Sequence, residues 1–175
     1  MAETRTALIT GASRGIGAAC ALLLAERGWD IAVNFARDEA AAQRVAAGVR
    51  ERGRRAVVLQ ADVADERAVL AMFATLDTQG WRLAGLVNNA GIVDVKARFD
   101  EMSAARWRRM LDVNVFGTLL CSREAVRRMS SVHGGAGGGI VNLTSIAAVL
   151  GAPGMYVDYA ASKGAIDTFT LGLSR

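Results

Sequence analysis

Tyr159 and Lys163 lie four residues apart in Tyr159-Ala160-Ala161-Ser162-Lys163, at the start of a run to Leu173 that reads as helix. Positions i and i+4 share one helical face, so the phenol and the ammonium point the same way. A free tyrosine ionises near pH ~10. A neighbouring cation favours the phenolate and lowers that value, which makes the pair an acid/base unit. Tyr156 is seven residues from Lys163 and does not form this pair. Among the 21 Lys+Arg residues, only Lys96 and Lys163 are lysines, so a chain otherwise committed to arginine places a lysine here.

A second group of residues suits an anion. Gly11-x-x-x-Gly15-x-Gly17 sits between an apolar strand, Thr6 to Thr10, and the helix that follows. Glycine allows a tight turn and close approach of backbone to a pyrophosphate. The helix N-terminus behind it offers free N–H groups and the positive end of a dipole. The spacing differs from the G-x-G-x-x-G dinucleotide fingerprint.

The elements that must hold these residues alternate. The first helix follows the glycine turn through Ile16, Cys20, Leu23, Leu24 and Arg27 and ends at Gly28; a strand, Asp30 to Phe35, comes next. Glu39 to Arg52 reads as helix closed by Gly53, Ala56 to Gln60 as strand, and Asp65 opens a helix with the stripe Val69, Met72, Phe73 and Leu76 that ends at Gly80. Leu83 to Asn88 is the fourth strand. Ser103 caps one long helix reaching Met129, with an inward stripe of Trp107, Met110, Leu111, Thr118, Cys121 and Ala125. Asn114 falls within that stripe, where a buried amide needs partners. Val113, Phe116 and Leu120 make the helix apolar on a second side, the mark of deep burial or of packing on another subunit. Gly134 to Gly139 reads as a flexible surface loop without chemistry, and Ile140 to Thr144 as the fifth strand. Alternation of strand and helix predicts an α/β fold, a doubly wound parallel sheet in one domain spanning residues 1–175.

Composition agrees. The chain is 52% hydrophobic with 19 glycines and one proline. The net charge of +4 is spread over arginines with no basic run longer than a pair, which argues against a nucleic-acid partner. Cys20 and Cys121 lie in separate helical patterns and His133 is the lone histidine, so no metal site is expected. The polar first residues do not read as a signal peptide, and no apolar run is long enough to span a bilayer. A cytoplasmic protein is expected.

Thr10-Gly-Ala-Ser-Arg-Gly-Ile-Gly17, Asn88-Asn-Ala-Gly91, Asn114, Ser145 and Tyr159-x-x-x-Lys163, in this order, resemble the short-chain dehydrogenase/reductase family from about Thr6 to Arg175. The resemblance implies a Rossmann-type sheet binding a nicotinamide dinucleotide. It assigns Gly11, Ser13, Arg14, Gly15, Ile16 and Gly17 to the phosphates. Asp62 and Val63 go to the adenine. Asn89, Ala90 and Gly91 line the cofactor. Tyr159 becomes the proton donor or acceptor, and Lys163 holds the ribose and lowers the tyrosine pKa. Ser145 bonds the substrate carbonyl, and Thr144 beside it offers the same group. Asn114 supports a water relay to the lysine. Ser145 and Tyr159 are fourteen residues apart, one more than in many members, so a small loop bulge is expected between them.

An enzyme choosing NAD carries Asp or Glu near the end of the second strand, bonded to the ribose 2′-hydroxyl. Here the end reads Asn34-Phe35-Ala36-Arg37, and Asp38 comes late enough to start the next helix. Arg37, helped by Arg14, suits a 2′-phosphate, which favours NADP(H). Complete family members continue beyond the position of Arg175 with a sixth strand, a turn that meets the nicotinamide, a substrate lid and a seventh strand. The chain is thus read as C-terminally incomplete, and its fifth strand as an open edge. Two functional readings follow. One is an NADP(H)-dependent oxidoreductase acting on a small-molecule ketone, aldehyde or alcohol, assembled as a dimer or tetramer. The other is a non-catalytic nucleotide-binding or oligomer-forming remnant.

Overall fold

The computed structural model describes residues 5–175, so the polar start of the chain, residues 1–4, lies outside the described residues. Strands β1 (Thr6–Ile9), β2 (Asp30–Phe35), β3 (Ala56–Gln60), β4 (Leu83–Asn88) and β5 (Gly139–Asn142) form one parallel sheet in the order β3-β2-β1-β4-β5. Helices α1 (Gly15–Glu26), α2 (Glu39–Glu51), α3 (Glu66–Thr78), α4 (Ala104–Leu111), α5 (Gly117–Met129), α6 (Ala147–Leu150) and α7 (Val157–Leu173) connect or follow them. The chain winds outward from β1 to β3, then crosses back so that β4 pairs with the other side of β1. This reversal opens a crevice beyond the carboxyl ends of β1 and β4, where ligands bind in open α/β sheets.

Side chains alternate across the sheet with period two. Ala7 and Ile9 of β1 and Ile31, Val33 and Phe35 of β2 pack under α1 and α2. Leu8, Ala32, Leu59 and Leu86 point the other way, onto α3 and α5. β1, β2 and β4 are covered on both faces, as their mostly apolar residues require. Asp38, Asp65 and Ser103 each accept a backbone N–H in the first turn of their helices, and Gly28, Gly53 and Gly80 close α1, α2 and α3 at positive φ.

Four expectations need correction. The long helix is not continuous: Asp112–Phe116 forms a π turn between α4 and α5. Asn114 causes it, because its side chain is drawn inward to the backbone of Ile92 and to Ser162. Leu111, expected inside, is 46% exposed at the end of α4, while its neighbour Met110 and, beyond the turn, Thr118, Cys121 and Ala125 are buried as expected. Val113 and Leu120 are buried, whereas Phe116 faces out. Second, the glycine-rich segment before β5 is held on the end of α5 rather than hanging free. The N–H groups of Gly135 and Gly137 donate to Ser130 and Met129, and a Cβ on Gly135 or Gly138 would run into Met129. Third, the segment between Ser145 and Tyr159, expected to be loop with a small bulge, holds the single-turn helix α6, closed by Gly151 at φ +75°. Fourth, β5 starts one residue earlier and ends two residues earlier than expected, pairing to Asn142; the N–H of Leu143 still donates to the Asn88 carbonyl. Among the described residues β5 pairs only with β4, and Val141 is 57% exposed, so the expected open edge is present.

Candidate active site

The crevice at the reversal is a cleft of about 740 Å³. Gly11, Ser13, Arg14, Gly15 and Ile16 form its first wall. Arg37 enters from the end of β2, Asp62 and Val63 from the end of β3, and Asn89, Ala90 and Gly91 from the end of β4. Gly17, Tyr159 and Lys163, also expected at the cofactor, do not line it. Gly17 lies beneath the wall, where a Cβ would stand 2.5 Å from Asn89 Nδ2 and 2.9 Å from the Gly11 carbonyl. Gly11 and Gly17 are thus required by close packing, whereas Gly15, with open space at its Cβ position, is required by its φ of +57°.

The turn is braced from two sides. Asn89 Nδ2 donates to the carbonyls of Thr10 and Gly11 at 2.8 and 3.0 Å, and Thr10 Oγ1 accepts the N–H groups of Asn89 and Ala90, both at 3.0 Å. From β2, the buried Asn34 accepts the Gly11 N–H at 3.1 Å and donates to the carbonyls of Leu59 and Ala61. Sequence reasoning passed over Asn34; a polar residue in an otherwise apolar strand was its only signal. Arg14, at the N-cap of α1, offers no side-chain acceptor, and the N–H groups of Gly15, Ile16 and Gly17 make no protein hydrogen bond among the described residues. An uncapped helix N-terminus behind a glycine-rich turn fits a phosphate group.

At the far end of the cleft Phe35 is buried in the core, so the positions there that face a ligand are Ala36 and Arg37. Asp38 is occupied in accepting the Ala41 N–H. Asp62 accepts from the Ala64 N–H with one oxygen and from Arg109 Nη2, at 2.9 Å, with the other. Partial burial pushes its pKa up, but these two donors and the charges of Arg109 and Arg37 outweigh it and hold the carboxyl below the ordinary value.

Beside Gly91 stand the residues expected to do chemistry. Lys163 is 6% exposed and donates from Nζ to the Leu143 carbonyl at 2.7 Å. Its ammonium lies 5.8 Å from the ring centroid of half-buried Tyr159, within cation–π range. Burial lowers the Lys163 pKa, and Asp167 offsets this in part. A Cβ on Gly91 would stand 3.4 Å from Asn114 Oδ1 and 3.7 Å from Lys163 Nζ, so the glycine lets both groups converge. Asn114 does not bond the lysine. It accepts the Ile92 N–H at 2.7 Å and donates to the Ile92 carbonyl and to Ser162 Oγ, which in turn donates to the Tyr159 carbonyl at 2.7 Å. Ser162, unassigned in the sequence, thus ties the π turn to the backbone of Tyr159. Ser145 lies just beyond β5, with Oγ accepting the Ala147 N–H; no hydrogen bond joins it to Tyr159 among the described residues. Thr144 Oγ1 donates to the carbonyl of Lys163 at 3.3 Å. No group of three or more His, Cys, Asp or Glu side chains able to hold a metal occurs among the described residues.

Residues 5–175 match the short chain dehydrogenase family. The chain is 54% identical to an uncharacterised oxidoreductase, YgfF, of Escherichia coli K12 over 96% of its length and 68% of that protein. It superposes on acetoin dehydrogenase from Enterobacter cloacae with a TM-score of 0.91 and 38% identity, covering 99% of this chain and 67% of that one. A gluconate 5-dehydrogenase from Burkholderia cenocepacia, solved with NADP and tartrate, gives a TM-score of 0.87 and 34% identity, covering 97% and 64%. The chain spans about two thirds of the length of these relatives. Motifs, sheet order and site geometry agree with these matches: the chain belongs to the short-chain dehydrogenase/reductase family of NAD(P)-dependent oxidoreductases.

Proposed function

We propose that this chain carries the cofactor-binding and catalytic portion of an NADP(H)-dependent oxidoreductase that interconverts a ketone or aldehyde with an alcohol, Tyr159 serving as acid and base. The lysine carries this reading. A buried ammonium costs stability unless it is paired and hydrogen-bonded, and Lys163, held beside Gly91 of the cleft, has one N–H on Leu143 and its charge against the Tyr159 ring. Two further N–H groups remain for ribose hydroxyls. A bound nicotinamide dinucleotide supplies the hydride chemistry. The glycine turn and the N-terminus of α1 hold its phosphates, and Asn89 to Gly91 support it from β4. Tyr159 Oη gives its proton to the carbonyl oxygen in reduction and takes it back in oxidation, with the Lys163 ammonium beside its ring. Ser145 Oγ donates to the same oxygen and stabilises the charge developing there.

Arg37 supports NADP(H), since it stands where an acid would select NAD, and Arg14 adds a second cation. A charge-assisted contact to a phosphate contributes about 1.5–3 kcal/mol. NADPH should therefore bind at least about tenfold more tightly than NADH, and Arg37→Ala should narrow the gap. Fluorescence titration with both cofactors tests this, and equal dissociation constants in the wild type would refute it. We also assign a homo-oligomer contact to the exposed Leu111, Phe116 and Leu119 on the outer side of α4 and α5.

A further inference from the structure

Arg109 is the one cleft residue on α4, and nothing in the phosphate or proton chemistry requires it. It lies one helical turn before Val113, which is buried at the cleft floor. Nη2 donates to Asp62 Oδ2 at 2.9 Å, and the rest of the guanidinium has no hydrogen-bond partner among the described residues. The same cleft is lined by the apolar Ala61, Val63 and Val113. A phosphate is disfavoured here, because it would have to approach the ionised Asp62. A flat, neutral ring system is not, since it finds apolar side chains together with a planar cation fixed by a carboxylate.

We propose that Arg109 is a specificity-determining residue for the base of the cofactor: its guanidinium, held by Asp62, forms the outer wall of a slot for the adenine ring. The inference rests on the dinucleotide reading. It gives Asp62 a second task, since both its oxygens already have protein partners and it acts on the base partly by fixing Arg109. It also separates two cations in one cleft, with Arg37 reading the phosphate and Arg109 the ring.

The test is calorimetric titration of wild type, Arg109→Ala, Arg109→Lys, Arg37→Ala and Asp62→Asn with four probes: 5′-AMP, adenosine 2′,5′-bisphosphate, NADPH and nicotinamide mononucleotide. Arg109→Ala should weaken the three adenine-containing probes by a common factor of about five- to tenfold and leave nicotinamide mononucleotide unchanged. Arg37→Ala should weaken only adenosine 2′,5′-bisphosphate and NADPH. Arg109→Lys, which keeps the charge but loses the plane, should not restore binding. Asp62→Asn should lower the same affinities, and the double variant with Arg109→Ala should fall short of the product of the two single effects. Thermal melting of each variant verifies folding; Arg109 and Asp62 are both about two-fifths exposed, so neither change empties the core. Unchanged 5′-AMP affinity in Arg109→Ala, a loss confined to the 2′-phosphorylated probes, or full rescue by lysine would each overturn the inference while leaving the dinucleotide reading intact. Wild type that binds none of the four probes would overturn both.

Discussion

Tyr159 and Gly17 show how much the proposed chemistry asks of single atoms. Removing the phenol oxygen in Tyr159→Phe leaves ring packing and the Lys163 contact in place but deletes the proton donor. Turnover with NADPH and a panel of ketones should fall by about 10²–10⁴-fold, the usual contribution of a positioned acid, while NADPH affinity stays within a factor of two or so. Wild-type turnover in this variant would remove Tyr159 from its role. Gly17→Ala should act the other way. Its methyl would meet Asn89 Nδ2 and two backbone atoms of the turn, so Asn89 or the turn must move. The expected outcome is weaker cofactor binding and a lower melting temperature together, read by titration and calorimetry. Serine or alanine tolerated without loss at this position would show that the turn has more room than its contacts indicate.

At the scale of elements, the site depends on how α4, α7 and the segment after β4 are locked together. Arg106 of α4 donates from Nε and Nη2 to Asp158 at 2.7 and 3.2 Å, and from Nη1 to the Val95 carbonyl at 2.7 Å. Asp158 is buried in the first turn of α7, next to Tyr159, where the helix dipole also favours a carboxylate. Burial pushes the Asp158 pKa up, but Arg106 and the Tyr159 N–H outweigh it and hold it below the usual 3.8. The sign follows: a depressed folded-state pKa adds stability that is present above the unfolded value and lost as pH falls through the folded one. Arg106→Ala leaves a buried carboxylate alone and should cost about 3 kcal/mol or more at neutral pH. Asp158→Asn should be destabilised at neutral pH, and the gap from wild type should shrink as pH falls below the carboxylate range. Denaturant melts from pH 7 down to about pH 3 provide the check; a gap independent of pH would show that the pair contributes packing and not charge.

For the molecule as a whole, the surface around the π turn is left for a partner. Leu111, Phe116 and Leu119 are exposed there. If the oligomer contact proposed above uses this face, Phe116→Asp should shift sedimentation velocity toward the monomer without changing the far-UV spectrum. An unaltered sedimentation coefficient would place the contact elsewhere. Among the described residues β5 pairs with β4 alone.

Sheet, helices and most of the site were legible in the sequence because their causes are local. A glycine with positive φ closes a helix, an aspartate caps the next one, and apolar residues at period two or near four mark what is buried. Tyr159 and Lys163 share a face by helical spacing alone. What the linear order does not carry is any bond whose partners are distant in the chain. Asn114 reads as one amide in an apolar stripe; only when the segment after β4 lies against it does Ile92, 22 residues away, pull the helix into a π turn. Asn34 reads as a blemish in β2 until β1 and β3 flank it. The pairs Arg106–Asp158 and Arg109–Asp62, separated by 52 and 47 residues, join groups that look like ordinary surface charges in sequence. Local propensity determines which elements form, but a buried polar group takes its role from whatever packing brings within hydrogen-bond reach, and that is decided only when the elements close on one another.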